Sequence, residues 1–285
     1  MLTIDAPAAP AALDPELARW LERSEALAFA SAFAGAAETD GNPTGASHLE
    51  VGGGVAAALA ATEMGLFNRA MGFGFDEPLT ESIVDEVARF FSERARPQST
   101  IQLAPSVATP DAEAWLARRG YQPGRRWVKL WHDLGTMPVA RTSLRVERID
   151  ETLADDFLAI ALAVFGLPEA MDPFLRGSIG RPGWTHYLAF DGERPVSTAA
   201  TFVGEEVAWL AFGATLEDAR GRGGQSALFA ARLRDAWDLG CRWAVTETGE
   251  ETDEFPVNHS YRNMLRSGFR FAYARRNYNR DVAAG

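Results

Sequence analysis

Cysteine and histidine are scarce in this chain of 285 residues, which has one cysteine, Cys241, and four histidines. A single cysteine excludes a disulfide framework within the chain, so a reducing cytoplasm is the expected setting. The histidines, at positions 48, 132, 186 and 259, have no metal-ligand spacing and no cysteine pairs beside them. No metal site is therefore predicted.

Two further absences narrow the possible partners. No apolar run approaches the length that a membrane span needs, so no membrane partner is expected. Lysine and arginine number 28 against 39 acidic residues, which gives a formal net charge of −11. A nucleic-acid partner needs a basic footprint and is not expected either. The acidity is compatible with a cationic amine as partner, and equally with a charged surface that keeps the protein soluble.

The most informative segment that is present is a glycine-rich basic loop, Arg220-Gly221-Arg222-Gly223-Gly224-Gln225-Ser226. An apolar strand is predicted before it, over residues 207–215, and an amphipathic helix after it. The helix prediction rests on the spacing of Phe229, Leu233, Ala236 and Trp237, with Arg232 among the polar residues between them. Because the first turn of a helix has unpaired N–H groups and partial positive charge, this loop predicts a phosphate or pyrophosphate site. The alternative is a tight turn without a ligand.

The segments downstream continue the pattern. A short strand is predicted over residues 242–248, a short helix begins after Asn258 and ends at Gly268, and Phe269 opens a final strand. The order resembles that of the GNAT superfamily of acyl-CoA-dependent N-acyltransferases. Arg220 and Gly223 match the family's phosphate-loop signature, although Gln225 stands where glycine or alanine is usual. Asn258, Ser260, Gly268 and Phe269 resemble its second signature.

The resemblance implies an α/β fold, in which helices flank a mixed, largely antiparallel sheet that splays between its fourth and fifth strands. It also implies acetyl-CoA as the acyl donor. The pantetheine arm would bind the backbone of the fourth strand, at Phe212, Gly213, Ala214 and Thr215. Asn258 would contact this arm, or would cap the last helix, or both. The pyrophosphate would bind at the loop, with charge from two arginines, through the residues Arg220, Gly221, Arg222, Gly223, Gly224, Gln225 and Ser226.

Two residues are candidates for the catalytic groups. Glu247 ends the predicted fifth strand, where a partly buried carboxylate could act as the base, hold the acceptor, or be a surface charge. Glu205, Glu206 and Glu250 compete for this role. The resemblance places an acid at Met264, which cannot donate a proton, so Tyr261, one turn earlier, is the candidate acid; packing is its other interpretation.

The first half of the chain repeats the order of elements in the second half. Residues 117–121, which end in Gly120 and Tyr121, parallel residues 265–269, and residues 48–71 predict two strands. We predict two GNAT-like domains, residues 1–137 and 142–285, each with a central, largely antiparallel sheet that splays between its fourth and fifth strands. In the first domain an acidic segment, residues 73–78, takes the place of the phosphate loop, so only the second domain is expected to bind the donor.

These observations favour an acetyl-CoA-dependent N-acetyltransferase that acts on a small amine. The alternative is a non-catalytic acyl-CoA-binding or interaction module, which Gln225 and Met264 motivate. The sequence identifies neither the acceptor nor the oligomeric state.

Overall fold

A computed structural model describes residues 13–94 and 98–281 of the chain. The outermost residues of the two predicted domains, 1–12 and 282–285, lie outside the described residues. No helix within the described ranges combines the length and the apolar content that a membrane span requires.

Seven α-helices form in the described residues: α1 (Pro15–Glu38), α2 (Glu81–Glu93), α3 (Pro110–Arg118), α4 (Ala154–Phe165), α5 (Asp172–Arg176), α6 (Gly224–Asp238) and α7 (His259–Arg266). Side chains cap several of their N-termini, as polar residues before a helix commonly do. Asp14 accepts a hydrogen bond from the N–H of Glu16, and Thr80 accepts one from the N–H of Ile83.

Eleven strands form in the described residues: β1 (Ser47–Val51), β2 (Gly54–Ala58), β3 (Arg69–Met71), β4 (Gln98–Leu103), β5 (Gln122–His132), β6 (Arg145–Ile149), β7 (Trp184–Asp191), β8 (Arg194–Gly204), β9 (Val207–Thr215), β10 (Trp243–Gly249) and β11 (Arg270–Asp281). The prediction of two strands over residues 48–71 was wrong, because three form there. Gly52 and Gly53, both with positive φ, make the tight turn that separates β1 from β2.

All eleven strands belong to one sheet, in the order β1-β2-β3-β4-β11-β5-β10-β9-β8-β7-β6. The last strand of each half lies between strands of the other half: β5 is flanked by β11 and β10, and β11 is flanked by β4 and β5. The two long strands pair with each other in antiparallel register, from Arg270 opposite Trp131 to Asn279 opposite Gln122. This exchange joins the two halves by backbone hydrogen bonds.

Helices cover both faces of the sheet. One apolar cluster joins α1, α4 and α5 to side chains of β2, β8, β9 and β10, so it extends across both halves. On the opposite face, α2 and α3 pack over the first half and α6 and α7 over the second. The predicted fold class, a mixed α/β sheet with flanking helices, is confirmed.

The described sheet is antiparallel except at β3–β4 and β9–β10. Both parallel pairs are short. The strands β9 and β10 pair only as far as Trp209 opposite Val245, although β9 continues to Thr215 and β10 to Gly249. The two strands therefore diverge at their carboxyl ends and leave a gap in the sheet.

Candidate active site

The predicted phosphate loop lies at the start of α6, beside the gap between β9 and β10. Gly221 (φ +78°) and Gly223 (φ +86°) adopt left-handed conformations that suit glycine. Gly223 is the N-cap residue, and no side chain caps this helix. The first helical hydrogen bond runs from the N–H of Ala227 to the carbonyl of Gly223. The preceding N–H groups are therefore available to an anion, as at other uncapped helix starts.

Neighbouring segments hold this loop in place. Arg222 forms a bidentate ion pair with Asp191, in which the longer contact, from Nη2 to Oδ1, is 2.7 Å. The hydroxyl of Thr142 donates to the carbonyl of Arg222 at 2.6 Å. A Cβ on Gly224 would lie 2.5 Å from Oγ of Ser197, so only glycine lets α6 start this close to β8. Arg220 and Arg222 are both exposed, which leaves their charge near the helix start.

A bulge distorts β9 at the level of the gap. Across the bulge, β8 advances two residues, from Thr198 to Ala200, while β9 advances three, from Ala214 back to Ala211. Phe212 takes a φ of +50°, and its carbonyl accepts a hydrogen bond from the Thr198 hydroxyl. Such a bulge bends a strand and leaves its extra residue unpaired.

The side chain of Arg232, on α6, contacts the backbone at this bulge. The side chain is buried, and its Nη1 lies 3.4 Å from the carbonyl oxygens of both Ala200 and Ala211. It forms no ion pair with any described residue, and burial lowers its pKa to about 10. Because a trans peptide directs C=O and N–H to opposite sides, the N–H of Phe212 points away from the guanidinium that contacts the Ala211 carbonyl.

Gln225 bridges the start of α6 and the end of β9. Its Nε2 donates to the carbonyl oxygen of Ala214 and to the hydroxyl of Thr215, both at 3.0 Å. Its Oε1 lies where a Cβ on Gly213 would come within 3.0 Å. Gln225 is thus already hydrogen-bonded to part of the β9 backbone, where the pantetheine arm was predicted to bind.

A cleft of about 380 Å³ passes through the sheet at the gap. One end adjoins Gly213, Gln225 and α6, and the other end lies between α1 and the residues that follow α4. Aromatic and aliphatic side chains from both halves of the chain dominate its walls. The lining residues are Ala28, Phe29, Ala32, Phe33, Met64, Leu66, Phe67, Arg69, Trp127, Phe165, Leu167, Phe174, Trp184, Trp209, Leu210, Ala211, Phe212, Gly213, Gln225, Phe229, Arg232, Thr246, Glu247, Thr248, Gly249, Ser260 and Met264.

Glu247 lines this cleft as one member of a buried charge cluster. Its Oε1 accepts a hydrogen bond from Arg69 Nη1 at 2.7 Å, its Oε2 pairs with Arg275, and Lys129 lies 3.9 Å away. The cluster, drawn from α1, β3, β5, β10 and β11, contains three acids and three bases: Glu22, Glu25, Glu247, Arg69, Lys129 and Arg275. It is balanced in charge, as buried ionic groups generally must be.

The two acids at the centre of the cluster differ. Burial raises the pKa of Glu247, and the negative charge of Glu25 adds to this, against the opposing effect of the three cations. Burial would also raise the pKa of Glu25, but Arg275, Lys129 and Arg69 outweigh it and hold that pKa well below the ordinary value. Of the three acids in the cluster, Glu247 is the one that lines the cleft.

The residues of the second signature have different positions relative to the cleft. Asn258 caps α7 by accepting from the N–H of Tyr261, and its Nδ2 donates to the carbonyl of Gly249 at 2.6 Å, so it ties α7 to the end of β10. Ser260 and Met264 line the cleft, whereas Tyr261 packs among α7 and β5 and does not line it in the described structure. Burial and the charges of Glu251 and Glu250 raise the pKa of Tyr261.

The corresponding region of the first half is built differently. Asp76, from the acidic segment over residues 73–78, forms ion pairs with Arg19 and Arg23 of α1. Thr80 caps the start of α2, and Phe73 is buried. The helix start that would correspond to the phosphate loop thus already has a side-chain cap and an acidic neighbour.

Sequence reasoning missed several residues of the cleft. Arg232 was predicted on the polar face of α6 and Trp237 on its apolar face, but Arg232 is buried and Trp237 is 54% exposed. The apolar spacing of Phe229, Leu233 and Ala236 was correct. Arg69 and the cleft tryptophans Trp184 and Trp209 carried no local signal, because their partners are distant in sequence.

No group of His, Cys, Asp and Glu in the described ranges is arranged to hold a metal ion.

Solved structures share this architecture over most of the chain. A GCN5-related N-acetyltransferase from Kribbella flavida matches with a TM-score of 0.60 and 17% identity, over 89% of this chain and 96% of its own. A tandem GNAT protein from the clavulanic acid biosynthesis pathway matches with a TM-score of 0.56 and 15% identity, over 97% and 98%. A GCN5-related N-acetyltransferase from Sphaerobacter thermophilus matches with a TM-score of 0.52 and 16% identity, over 83% of each chain.

No protein-family model matches the chain, and no curated protein does. The structural matches establish that the chain has the fold of the GNAT superfamily, in a tandem arrangement. The resemblance inferred from the sequence is confirmed at this level. At these identities the matches show the fold alone, because one fold can support many functions.

Proposed function

We propose that this protein is an N-acyltransferase that transfers the acetyl group of acetyl-CoA to a small amine. The observation that carries the proposal is the uncapped start of α6 at one end of a cleft that passes through the sheet. A pyrophosphate at the N–H groups of residues 222–226, with charge from Arg220 and Arg222, would direct the attached arm along β9 into the cleft.

The reaction needs a polarised thioester and a deprotonated amine. When bound, the donor supplies the thioester; its C–S bond breaks, a C–N bond to the amine forms, the amine loses a proton and the thiol gains one. The N–H of Phe212, at the bulge in β9, would donate to the thioester oxygen. Glu247 is the proposed proton acceptor because it lines the cleft and its pKa is raised. Tyr261 would act as proton donor only after a movement that brings it into the cleft.

The two halves have different roles in this proposal. Residues 142–285 would form the transferase domain and residues 1–137 a GNAT-like domain without a donor site. The capped start of α2 and the acidic Asp76 support a single donor site. The first domain would contribute one wall of the acceptor cleft, since α1 and Arg69 line it. We further propose that the protein acts in the cytoplasm without a nucleic-acid or membrane partner.

A second candidate function is a non-catalytic acyl-CoA-binding or interaction module. Two observations favour it. Gln225 donates a hydrogen bond to the carbonyl of Ala214, and Met264 lines the cleft where the fold family places an acid. Such a module would bind acyl-CoA but release no thiol with any amine.

Titration calorimetry with acetyl-CoA tests the donor site. We expect micromolar binding by the native protein and a loss of affinity on the order of tenfold in Arg222→Glu, because the substitution inverts a charge beside the proposed pyrophosphate. The matched control is Arg242→Glu, another exposed arginine in an ion pair, here with Glu16, which should bind normally. Release of thiol with a panel of amines then separates the transferase from the binding module. No binding by the native protein would contradict both.

A further inference from the structure

The two ends of the cleft differ in chemistry. The donor would enter beside α6, because its pyrophosphate is proposed to bind there. The far end, between α1 and the residues after α4, is then left for the acceptor or for the acyl group itself. The direction of entry rests on the proposed function, whereas the chemistry of the far end is independent of it.

Aromatic rings form the wall of the far end, and they come from distant parts of the sequence. Six of them contribute: Phe29, Phe33, Phe67, Phe174, Trp184 and Trp209. Most of their contacts are edge to face, although Phe29 stacks on Phe33. The centroids of Phe33 and Phe174 are 5.0 Å apart, and those of Phe67 and Phe174 are 5.4 Å apart. Interlocked rings of this kind make a rigid surface, suited to a flat ligand.

The mouth of the far end is also apolar. Met64, Leu66 and Phe165 line it and are 39%, 37% and 41% exposed. Exposed apolar side chains gathered at the rim of a cleft mark a binding surface more often than isolated ones do. A ligand that covers them would remove this apolar area from water.

The lining of the cleft lacks the negative charge that would bind a polycation. Among the described lining residues, Glu247 supplies the only carboxylate, and both of its oxygens pair with arginines. Arg232 lines the same cleft and pairs with no carboxylate. The cleft is thus neutral to positive although the chain carries a net charge of −11. An acceptor with several ammonium groups would find no counter-charge there.

We infer that the far end of the cleft binds an aromatic or similarly bulky apolar group of a substrate, and that polyamines are not its ligands. The group belongs either to the amine acceptor or to the acyl moiety of the donor. The indole N–H of Trp209, which is buried and has no hydrogen-bond partner among the described residues, is a donor for a polar atom on that group.

Binding without turnover tests the inference. Trp127, Trp184 and Trp209 line the cleft, so tryptophan fluorescence should report its occupancy. We expect phenethylamine, without any donor, to change the fluorescence in a saturable way, and spermidine to cause no saturable change. In a second arm, calorimetry compares phenylacetyl-CoA with acetyl-CoA. Saturable phenethylamine binding assigns the aromatic group to the acceptor, and tighter binding of phenylacetyl-CoA assigns it to the acyl moiety.

A cavity-filling variant localises the effect. Ala32 on α1 lines the far end, so Ala32→Phe should abolish the aromatic response while acetyl-CoA binding stays within about twofold of the native protein. Ala34→Phe, on the same helix but not at the cleft, is the matched control for folding and should retain the response. Saturable binding of spermidine, absence of aromatic binding in both arms, or an unchanged response in Ala32→Phe would overturn the inference. Loss of acetyl-CoA binding alone would instead count against the proposed donor site.

Discussion

Gln225 and Ala214 are joined by a hydrogen bond of 3.0 Å that links the first turn of α6 to the last residues of β9. The amide of Gln225 thereby satisfies a backbone carbonyl at the edge of the gap, where β10 no longer pairs with β9. A pantetheine arm bound along β9 would need this side chain to rotate away. In the proposed transferase, Gln225 would therefore restrict access of the arm to the strand.

The first prediction concerns this contact. Gln225→Ala should tighten acetyl-CoA binding about fivefold, because the arm no longer displaces a hydrogen bond that contributes about 1 kcal/mol. Calorimetry measures the affinity, and a thermal unfolding curve of the same variant controls for altered stability. Weaker binding would mean that the glutamine itself holds the donor.

The ion pair between Arg222 and Asp191 leads to a second prediction. Asp191→Asn should strengthen acetyl-CoA binding roughly twofold to fivefold, since it removes a negative charge that competes for Arg222. The gain should shrink as salt is added, because exposed charges are screened. Asp133→Asn, which breaks the exposed pair with Arg270 elsewhere, is the control and should leave affinity unchanged.

Glu247 gives a prediction that separates chemistry from binding. Glu247→Gln should lower turnover roughly a hundredfold, as expected for loss of a general base, with acetyl-CoA affinity nearly unchanged. The variant should also lose about 3 kcal/mol of stability, because it leaves the buried cations of the cluster one acid short. Steady-state kinetics below the unfolding temperature measure the first effect, and urea unfolding measures the second.

Glu250, another candidate for the base, provides the control for Glu247→Gln. Glu250 lies beyond the end of β10 and pairs with Arg126 at 2.7 Å. Glu250→Gln should keep native turnover. If Glu247→Gln also keeps native turnover, the proton acceptor is another group.

We expect His186 to make the free energy of unfolding depend on pH. It lies between Phe157 and Trp184, its Nε2 is 3.1 Å from Oγ of Ser178, and burial lowers its pKa to about 3. The unfolded chain takes up this proton below about pH 6.5, whereas the folded chain does so only near its depressed pKa. The contribution of neutral His186 is therefore complete above about pH 6.5 and is lost toward pH 3, by about 1.4 kcal/mol per pH unit.

Urea unfolding at several pH values tests this prediction. His186→Gln should flatten the fall in stability between about pH 6.5 and 4.5, because glutamine does not take up a proton in this range. The control is His259→Gln, since that side chain is exposed, and it should follow the native curve. Parallel curves for the native protein and His186→Gln would show that other groups cause the acid sensitivity.

Local features of the sequence predicted much of the second half. The glycines and arginines of the phosphate loop, the strand before it and the helix after it all lie where expected. The cap at Asn258 was also correct. These features depend on residues a few positions apart, so spacing alone can reveal them. The binding roles assigned to these residues remain proposals.

The environment of Glu247 could not be predicted in the same way. Its position at the end of β10 followed from the strand pattern, but its partners Arg69 and Arg275 come from β3 and β11. Arg69 is 178 residues away along the chain. Charge pairing over such separations depends on which strands become neighbours, and a single sequence does not encode that in any local pattern.

The sequence by itself determined most of the elements, their order, the repeated halves and the glycine-rich start of α6, because propensities, caps and apolar periodicity act over short stretches. Only the tertiary structure decided that β5 and β11 exchange between the halves, since strand pairing is a long-range choice. The same exchange brings Lys129 and Arg275 beside Glu247. The aromatic end of the cleft likewise exists only where α1 of the first half packs over β9 of the second.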